Sequence, residues 1–246
     1  MLCKTLFALA LLLPVCSFAS LPDDIARIRP LLPAGYDVAQ IQAALLTGSS
    51  ATDALDAAKT NYLIRDINGD GVADILVIAE KSPSAVEFET GTPCAVYDAS
   101  KCNVQYGERT LELFLGNSDG SFTLSFSNNK MVLAGDEGGI FGDPLEGLSV
   151  RKNGSISLDV YGGSAWRWSN SDVMQYRNRD LYVVGNDTYE GWNGDGRSNT
   201  KSVNFVTGRV VETAQKNGDA PTLSKVTHIA VKPLVRVADY VNSFNN

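Results

Sequence analysis

The sequence predicts a mainly β protein: an antiparallel sheet in a single domain with a short helical segment at its N-terminus. From residue 61 onward, short β-branched and aromatic runs alternate with Gly, Asn and Asp, which is typical of antiparallel sheet. Residues 20–60 differ, because they are rich in Ala and Leu and place Ile41, Ala44 and Leu45 at helical spacing. The length of 246 residues, 44% of them hydrophobic, suits one globular domain.

Residues 1–19 have the features of a secretory signal peptide. Lys4 precedes an apolar run at residues 6–15, and small residues then lead to a cleavage site after Ala19. The apolar run is too short for a bilayer, which needs roughly 20 residues, so no membrane span is expected. Lipid attachment at Cys16 is a less favoured alternative because the preceding residues are not small. We therefore expect a periplasmic or secreted protein.

The charge balance excludes some partner classes. The formal net charge is −7, and removal of residues 1–19 takes away Lys4 and makes it −8. An acidic, exported chain is a poor candidate for nucleic acid or anionic lipid, because both carry negative charge. A protein or a glycan is the expected kind of partner.

Cysteine usage agrees with export. Loss of the signal peptide leaves two cysteines, Cys94 and Cys102, and an even pair in an oxidising compartment predicts one disulfide. The bond would close a short loop and contribute on the order of 2.5 kcal/mol before strain. Two free thiols remain the alternative.

Turn residues predict several hairpins. Asn153 and Gly154 lie between alternating runs and predict a two-residue turn in which both residues take positive φ. Further turns are predicted at residues 178–180 and at residues 207–208. Pro233 cannot donate to a β-ladder, which indicates a C-terminal strand that continues into an edge segment.

The segment DINGDGVAD carries the clearest chemical signal. Oxygen-bearing side chains fall at positions 1, 3, 5 and 9, with a glycine at position 6 and a carbonyl available at position 7. This spacing predicts a calcium site whose ligands are Asp66, Asn68, Asp70, the Val72 carbonyl and Asp74. Position 12 is valine, so the bidentate glutamate of an EF-hand is absent, and the flanking runs YLIR and ILVIA predict strands. A metal-free Asx-rich hairpin is the alternative.

The residues DINGDGVADILVIAE and LELFLGNSDGSFTL together resemble one unit of the FG-GAP or VCBS repeats of integrin-type β-propellers. The resemblance covers residues 61–125 and implies a loop that binds Ca²⁺ between two strands. A propeller needs several such units, whereas this chain shows one. The later segments GGIFGDPLEGLSV and YGGSAWRW are similar to those of exported bacterial proteins with a single unit. The resemblance implies fold and calcium, and no activity.

Two further segments hold candidate functional residues. The loop at residues 136–147 concentrates acids and glycines, and Asp143 with Glu146 is a candidate acid–base pair, although a solvated loop is favoured. Tyr161, Trp166 and Trp168 are candidates for partner binding. Trp166 and Trp168 lie two apart and share one face of a strand, where they either stack on a partner or close the core.

No catalytic constellation is evident in the sequence. The lone histidine, His228, has no nucleophile elbow beside it, and the nucleotide-binding glycine motifs are lacking. The sequence therefore favours an exported, calcium-stabilised binding or structural module that is not an enzyme. The alternatives are an envelope hydrolase that uses acidic residues, or an inhibitor or immunity-type protein that masks an envelope enzyme.

Overall fold

A computed structural model describes residues 26–39, 60–81 and 107–242, which form two antiparallel sheets. The predicted mainly β fold in a single domain is confirmed. The signal peptide and the pair Cys94 and Cys102 lie outside the described residues. In the described ranges, no helix is long and apolar enough to cross a membrane.

The first sheet has five strands and lies in the N-terminal half of the described chain. Strands β3, β4 and β5 are neighbours in that order, and β1 and β2 pair one after the other with the free edge of β3. Their bounds are β1 (Tyr36–Val38), β2 (Tyr62–Arg65), β3 (Asp74–Lys81), β4 (Arg109–Gly116) and β5 (Phe122–Asn128).

The second sheet has eight strands, and seven of them run in chain order from β6 to β12. The eighth, β13, pairs with β9 at Tyr182 and Val183. The bounds are β6 (Leu145–Val150), β7 (Ile156–Gly163), β8 (Trp166–Arg177), β9 (Asp180–Trp192), β10 (Ser198–Asn204), β11 (Arg209–Gln215), β12 (Leu223–His228) and β13 (Val235–Arg236). The predicted C-terminal strand is therefore β12, which lies at one edge of this sheet.

The main core lies between the two sheets. Leu76 and Leu113 of the first sheet belong to the same buried cluster as Leu148, Leu158 and Met174 of the second. An isolated bridge between Thr60 and Leu148 also joins the sheets beside β2. Burial of such aliphatic side chains, worth about 1.5–3 kcal/mol each, holds the layers together.

The outer face of the first sheet is covered by the N-terminal segment. Ile28 is fully buried in a second cluster with Ile75, Val77 and Phe114, so β3 is apolar on both faces. Residues 26–31 are helical and end in the 3₁₀ turn Arg29–Leu31. The predicted helical spacing at Ile41, Ala44 and Leu45 lies outside the described residues. Residues 36–38 form β1 and not helix, because they pair with β3. In the described residues, a second 3₁₀ turn spans Val237–Asp239.

The predicted hairpins are present, but one turn differs in type. The predicted two-residue turn at Asn153 and Gly154 is wrong, because the loop spans three residues and only Gly154 has positive φ. The Gly154 N–H donates to the Arg151 carbonyl, which is typical of a type I turn followed by a left-handed glycine. The two-residue turn with positive φ at both positions occurs instead at Asn178 and Arg179.

Candidate functional site

The candidate calcium loop connects two paired strands. Residues 66–73 join β2 to β3, and Arg65 pairs with Asp74 where the loop closes. The predicted strand–loop–strand arrangement is confirmed, and the run YLIR coincides with β2. Gly69 and Gly71 have φ of +82° and +88°, a region that L side chains rarely adopt. The chain can therefore reverse tightly enough to collect its polar side chains on one side.

The Asp66 carboxylate organises the first half of the loop. Its Oδ1 accepts the backbone N–H groups of Gly69 at 2.7 Å and Asp70 at 3.1 Å. Its Oδ2 accepts the N–H of Gly71 at 2.9 Å. Such side-chain bonds to the following backbone are the reason that Asp favours the start of a tight loop.

Asn68 and Asp70 form the centre of the loop. The Asp70 N–H donates to Asn68 Oδ1 at 2.8 Å, and Asn68 Nδ2 donates to Asp70 Oδ2 at 2.8 Å. Asp70 Oδ1 accepts the N–H of Val72 at 2.8 Å. Both carboxylates, of Asp66 and Asp70, lie in the exposed part of the loop.

Asp74 closes the loop from inside the protein. Its side chain is fully buried, and Oδ2 accepts the N–H groups of Ile67 at 2.8 Å and Asn68 at 3.0 Å. Its Oδ1 accepts the N–H of Gly116 at 3.0 Å, which links the loop to the end of β4. Three backbone donors therefore satisfy a buried carboxylate.

The donor set is compatible with a hard cation. Among the described residues, no three or more His, Cys, Asp or Glu side chains converge as an assembled metal site, and the loop carboxylates take backbone donors instead. Asp66 Oδ2, Asp74 Oδ1 and both Asp70 carboxylate oxygens accept one hydrogen bond each and so keep a second lone pair, and Ca²⁺ prefers such oxygen ligands. Binding through Asn68 and Asp70 would replace the hydrogen bond from Asn68 Nδ2 to Asp70 Oδ2.

A small polar cavity of about 140 Å³ lies beside the loop. Asp66 lines it from the first sheet, and Asn153 and Tyr176 line it from the second. Burial raises the pKa of Tyr176, and the negative charges of Asp74, Asp180 and Asp70 raise it further.

In the loop at residues 136–147, Asp143 is engaged by an arginine and is not available as one member of the acid–base pair considered with Glu146. Asp143 accepts Arg109 Nη1 at 2.7 Å and also pairs with Arg109 Nη2, and both side chains are at least nine-tenths buried. Arg109 also donates to the Leu133 carbonyl at 3.1 Å. This two-bond contact between a guanidinium and a carboxylate is geometrically specific, so the pair anchors the loop.

The candidate tryptophans lie where two hairpins end. Trp166 pairs directly with Trp192 of β9, and Trp168 lies on the same face of β8, as predicted. Trp166 is 50% exposed, so it does not close the core. The rings of Trp166 and Trp192 lie 5.1 Å apart between centroids, and the Arg197 guanidinium lies 5.3 Å from the Trp166 ring.

Tyr161 is separate from this cluster. It pairs with Ser169, which places it on the opposite face of the sheet from Trp168. Its ring packs 5.4 Å from that of Phe141, and the Arg167 guanidinium lies 4.1 Å from the Phe141 ring. The structure therefore does not bring Tyr161 together with Trp166. His228 lies exposed on the edge strand β12.

Sequence reasoning missed Trp192 and a set of buried acids. If the register set by the two-residue turn at Asn178 and Arg179 continued along β8, Trp166 would pair with Gly191. A register shift at Val173 makes Trp192 its partner instead. The predicted hairpin therefore placed Trp166 within one residue of its actual partner.

The buried acids carried no such signal, because no local pattern distinguishes them. Asp172 is fully buried, burial raises its pKa, and it accepts hydrogen bonds at 2.8 Å from both Tyr240 and Asn186. A carboxylate without solvent access cannot meet a substrate, so Asp172 holds the C-terminal segment against β8.

These features define a two-sheet β protein with an acidic loop between paired strands. No family model, curated protein or solved structure matches this chain.

Proposed function

We propose that the protein is an exported, calcium-stabilised binding or structural module. The observation that carries this proposal is the loop at residues 66–74, in which three carboxylates and one amide oxygen share a single tight turn. The residues that would hold Ca²⁺ are Asp66, Asn68, Asp70, the Val72 carbonyl and Asp74.

The likeness to one FG-GAP or VCBS unit supports the same proposal. In that resemblance the DxDxDGxxD loop lies between two strands, and here β2 and β3 are paired directly on either side of the loop. We assign residues 61–125 to such a unit. Export, predicted from residues 1–19, would bring the loop to a compartment where millimolar calcium is available.

The proposed role of calcium is stabilisation. Asp66 and Asp70 are exposed acids on a loop that also holds Asp74, and their mutual repulsion opposes the compact turn. A divalent cation would remove that repulsion and join both ends of the loop. The loop closes onto its own backbone donors, so it leaves little room for a substrate.

The envelope hydrolase alternative has less support from the described residues. Asp143 is held by Arg109, and Asp172 and Glu112 are fully buried. The inhibitor or immunity-type alternative shares the binding-module class and differs only in its partner.

A thermal melt of the mature chain, residues 20–246, tests the calcium proposal. With a Kd of about 0.1 mM and about 1 mM free calcium, linkage gives roughly 1.4 kcal/mol of stabilisation. For a domain of this size we expect the Tm to rise by about 3–6 °C over the value in EDTA. Magnesium should substitute poorly, because it demands tighter octahedral geometry.

Two variants make the melt specific. Asp70→Ala should abolish most of the calcium-dependent rise, because it removes a central carboxylate and leaves the strands intact. Asp119→Ala is the matched control, since Asp119 is an exposed acid in the β4–β5 turn and should leave the rise unchanged. Identical wild-type melts in EDTA and calcium, with no calorimetric binding at about 1 mM ion, would contradict the proposal.

Mass spectrometry of the protein recovered from the periplasm tests export and the predicted disulfide together. The expected product begins at Ser20 and contains one bond between Cys94 and Cys102. A lipid on Cys16 would contradict the soluble exported form, and quantitative alkylation of both thiols without reductant would contradict the disulfide.

A further inference from the structure

The second sheet extends past the first and leaves a groove open on the face that carries Trp166. The groove has a volume of about 480 Å³, which is within the usual range for ligand sites. Residues of β9, β10, β11 and β12 line it. Its polar lining includes Thr188, Glu190, Asn199, Lys201, Glu212 and Lys225.

The strand register places these side chains in two rows on one face. Thr188, Lys201, Glu212 and Lys225 are direct cross-strand partners, and so are Glu190 and Asn199. Directly opposite residues in an antiparallel sheet share a face. Trp192 follows Glu190 by two residues on β9, so the pair Trp166 and Trp192 lies on the same face, about 7 Å further along.

The groove is balanced in charge. Two lysines and two glutamates alternate across it, and Lys201 Nζ lies 3.8 Å from Glu212 Oε1. Neither a polyanion nor a polycation gains net Coulomb attraction from such a lining. The charge pattern therefore favours an uncharged ligand that both donates and accepts hydrogen bonds.

A buried amide, Asn170, lies at the inner end of the row. Asn170 pairs with Thr188 across β8 and β9 and is 1% exposed. Its Oδ1 accepts Asn186 Nδ2 at 2.7 Å, and the same Asn186 Nδ2 also donates to the buried Asp172 carboxylate at 2.8 Å. Asn170 therefore continues the row of polar side chains from β9 onto β8.

We propose that the face formed by Trp166, Trp192 and the β9–β12 groove binds a neutral oligosaccharide. Sugar rings have apolar C–H faces that suit the half-exposed indole of Trp166, and their hydroxyls match the Asn, Thr, Glu and Lys groups of the groove. This inference names the ligand class of the proposed binding module and therefore rests on that function, although it does not use the calcium loop.

Titration of the mature chain with defined hexasaccharides tests the proposal. The neutral probes are β-1,4-linked glucose, β-1,4-linked N-acetylglucosamine, β-1,4-linked mannose and α-1,4-linked glucose, and the anionic probe is a galacturonate hexamer. Calorimetry and tryptophan fluorescence are recorded in calcium and in EDTA. We expect saturable binding of at least one neutral probe with a Kd of about 0.1–1 mM, and none of the anionic probe.

Single variants locate the binding on the groove. Trp166→Ala should weaken binding at least about tenfold, and Asn199→Ala about three- to tenfold, since each removes one contact with the ligand. Val226→Ala is the matched control, because Val226 is exposed on the opposite face of β12 and should leave the Kd unchanged. Melts of each variant verify that it is folded.

Three outcomes would overturn the proposal. These are no saturable binding of any neutral probe, equal or tighter binding of the galacturonate hexamer, or wild-type affinity in Trp166→Ala. Asp70→Ala separates the two proposals: sugar binding that persists in this variant, with no calcium effect on the wild-type Tm, would contradict the calcium role alone.

Discussion

Asp74 Oδ1 accepts the backbone N–H of Gly116 at 3.0 Å, and this bond joins the acidic loop to the end of the next strand. Asp74 is the first residue of β3 and Gly116 is the last residue of β4, so the bond lies at the end of this antiparallel strand pair. The other oxygen of Asp74 holds the loop backbone at Ile67 and Asn68. The buried Asp74 carboxylate therefore fixes the loop on its protein side, whereas Asp66 and Asp70 lie on its solvent side.

The first prediction separates the structural acid from the exposed acids. In EDTA, Asp74→Ala should lower the free energy of unfolding by about 2–4 kcal/mol, because it leaves one buried and two partly buried N–H donors without their acceptor. Asp70→Ala should cost about 1 kcal/mol or less under the same conditions, since water can reach the groups it frees. Urea denaturation of both variants measures the difference. Equal losses would contradict the assignment of distinct roles.

The second prediction concerns Gly116 itself. A Cβ built on Gly116 would lie 2.3 Å from the Ala73 carbonyl oxygen, which is backbone and cannot move aside freely. Gly116→Ala should therefore destabilise the protein by about 2–3 kcal/mol and weaken the Asp74 bond. Gly218→Ala is the control, because its Cβ would meet only the Asp195 carbonyl oxygen at 3.9 Å. A Gly116→Ala melt within about 2 °C of wild type would contradict the close approach.

In the acidic loop, the local sequence predicts the turn but not its contact with the rest of the sheet. The spacing of Asp66, Asn68, Asp70 and Asp74 predicted a strand–loop–strand turn, because each side chain bonds to backbone only a few residues away. The contact between Asp74 and Gly116 spans 42 residues, and no local pattern encodes it. The turn at Gly154 was misassigned for a related reason, since loop length depends on how β6 and β7 register beyond the dipeptide.

The exposure of the aromatic residues could not be predicted from the sequence, because it also depends on distant parts of the chain. Alternation along β8 placed Trp166 and Trp168 on one face, but whether that face is covered depends on the extent of the other sheet. The first sheet covers Leu148 and Leu158 and stops short of Trp166. Tyr161 was grouped with the tryptophans by proximity in sequence, and strand alternation separates them.

The third prediction tests the structural role of Asp143. Asp143→Ala removes the closest partner of the buried Arg109 and leaves it with Glu80 alone, at 3.4 Å from Nη2, so the variant should cost about 3 kcal/mol. Asp187→Ala is the matched control. Asp187 pairs with Arg151 at 2.7 Å, but both side chains are about one-third exposed, and the loss should stay below about 1 kcal/mol. Equal, small losses for both variants would contradict the buried pairing with Arg109.

The last prediction uses pH to detect the buried Glu112. Burial raises the pKa of this carboxyl above its ordinary value of 4.5, although Ser127 and Thr110 donate hydrogen bonds to Oε1. Its Oε2 has no hydrogen-bond partner in the described ranges, so the charged form is poorly solvated. The folded protein therefore binds this proton more tightly than the unfolded chain does. The stabilisation is fully present below pH 4.5 and is lost as the pH rises through the raised pKa.

Glu112→Gln removes that titration and keeps the shape of the side chain. The stability of the variant relative to wild type should therefore increase between about pH 4 and pH 8, by about 1.4 kcal/mol for each pKa unit that burial adds. Any constant cost of the amide cancels, because the measured quantity is the change of this difference with pH. Glu212→Gln, at an exposed ion pair, is the control and should show little change. A pH-independent difference for Glu112→Gln would mean that the carboxyl is solvated and that the outer face of the first sheet is more open than its fully buried β3 residues indicate.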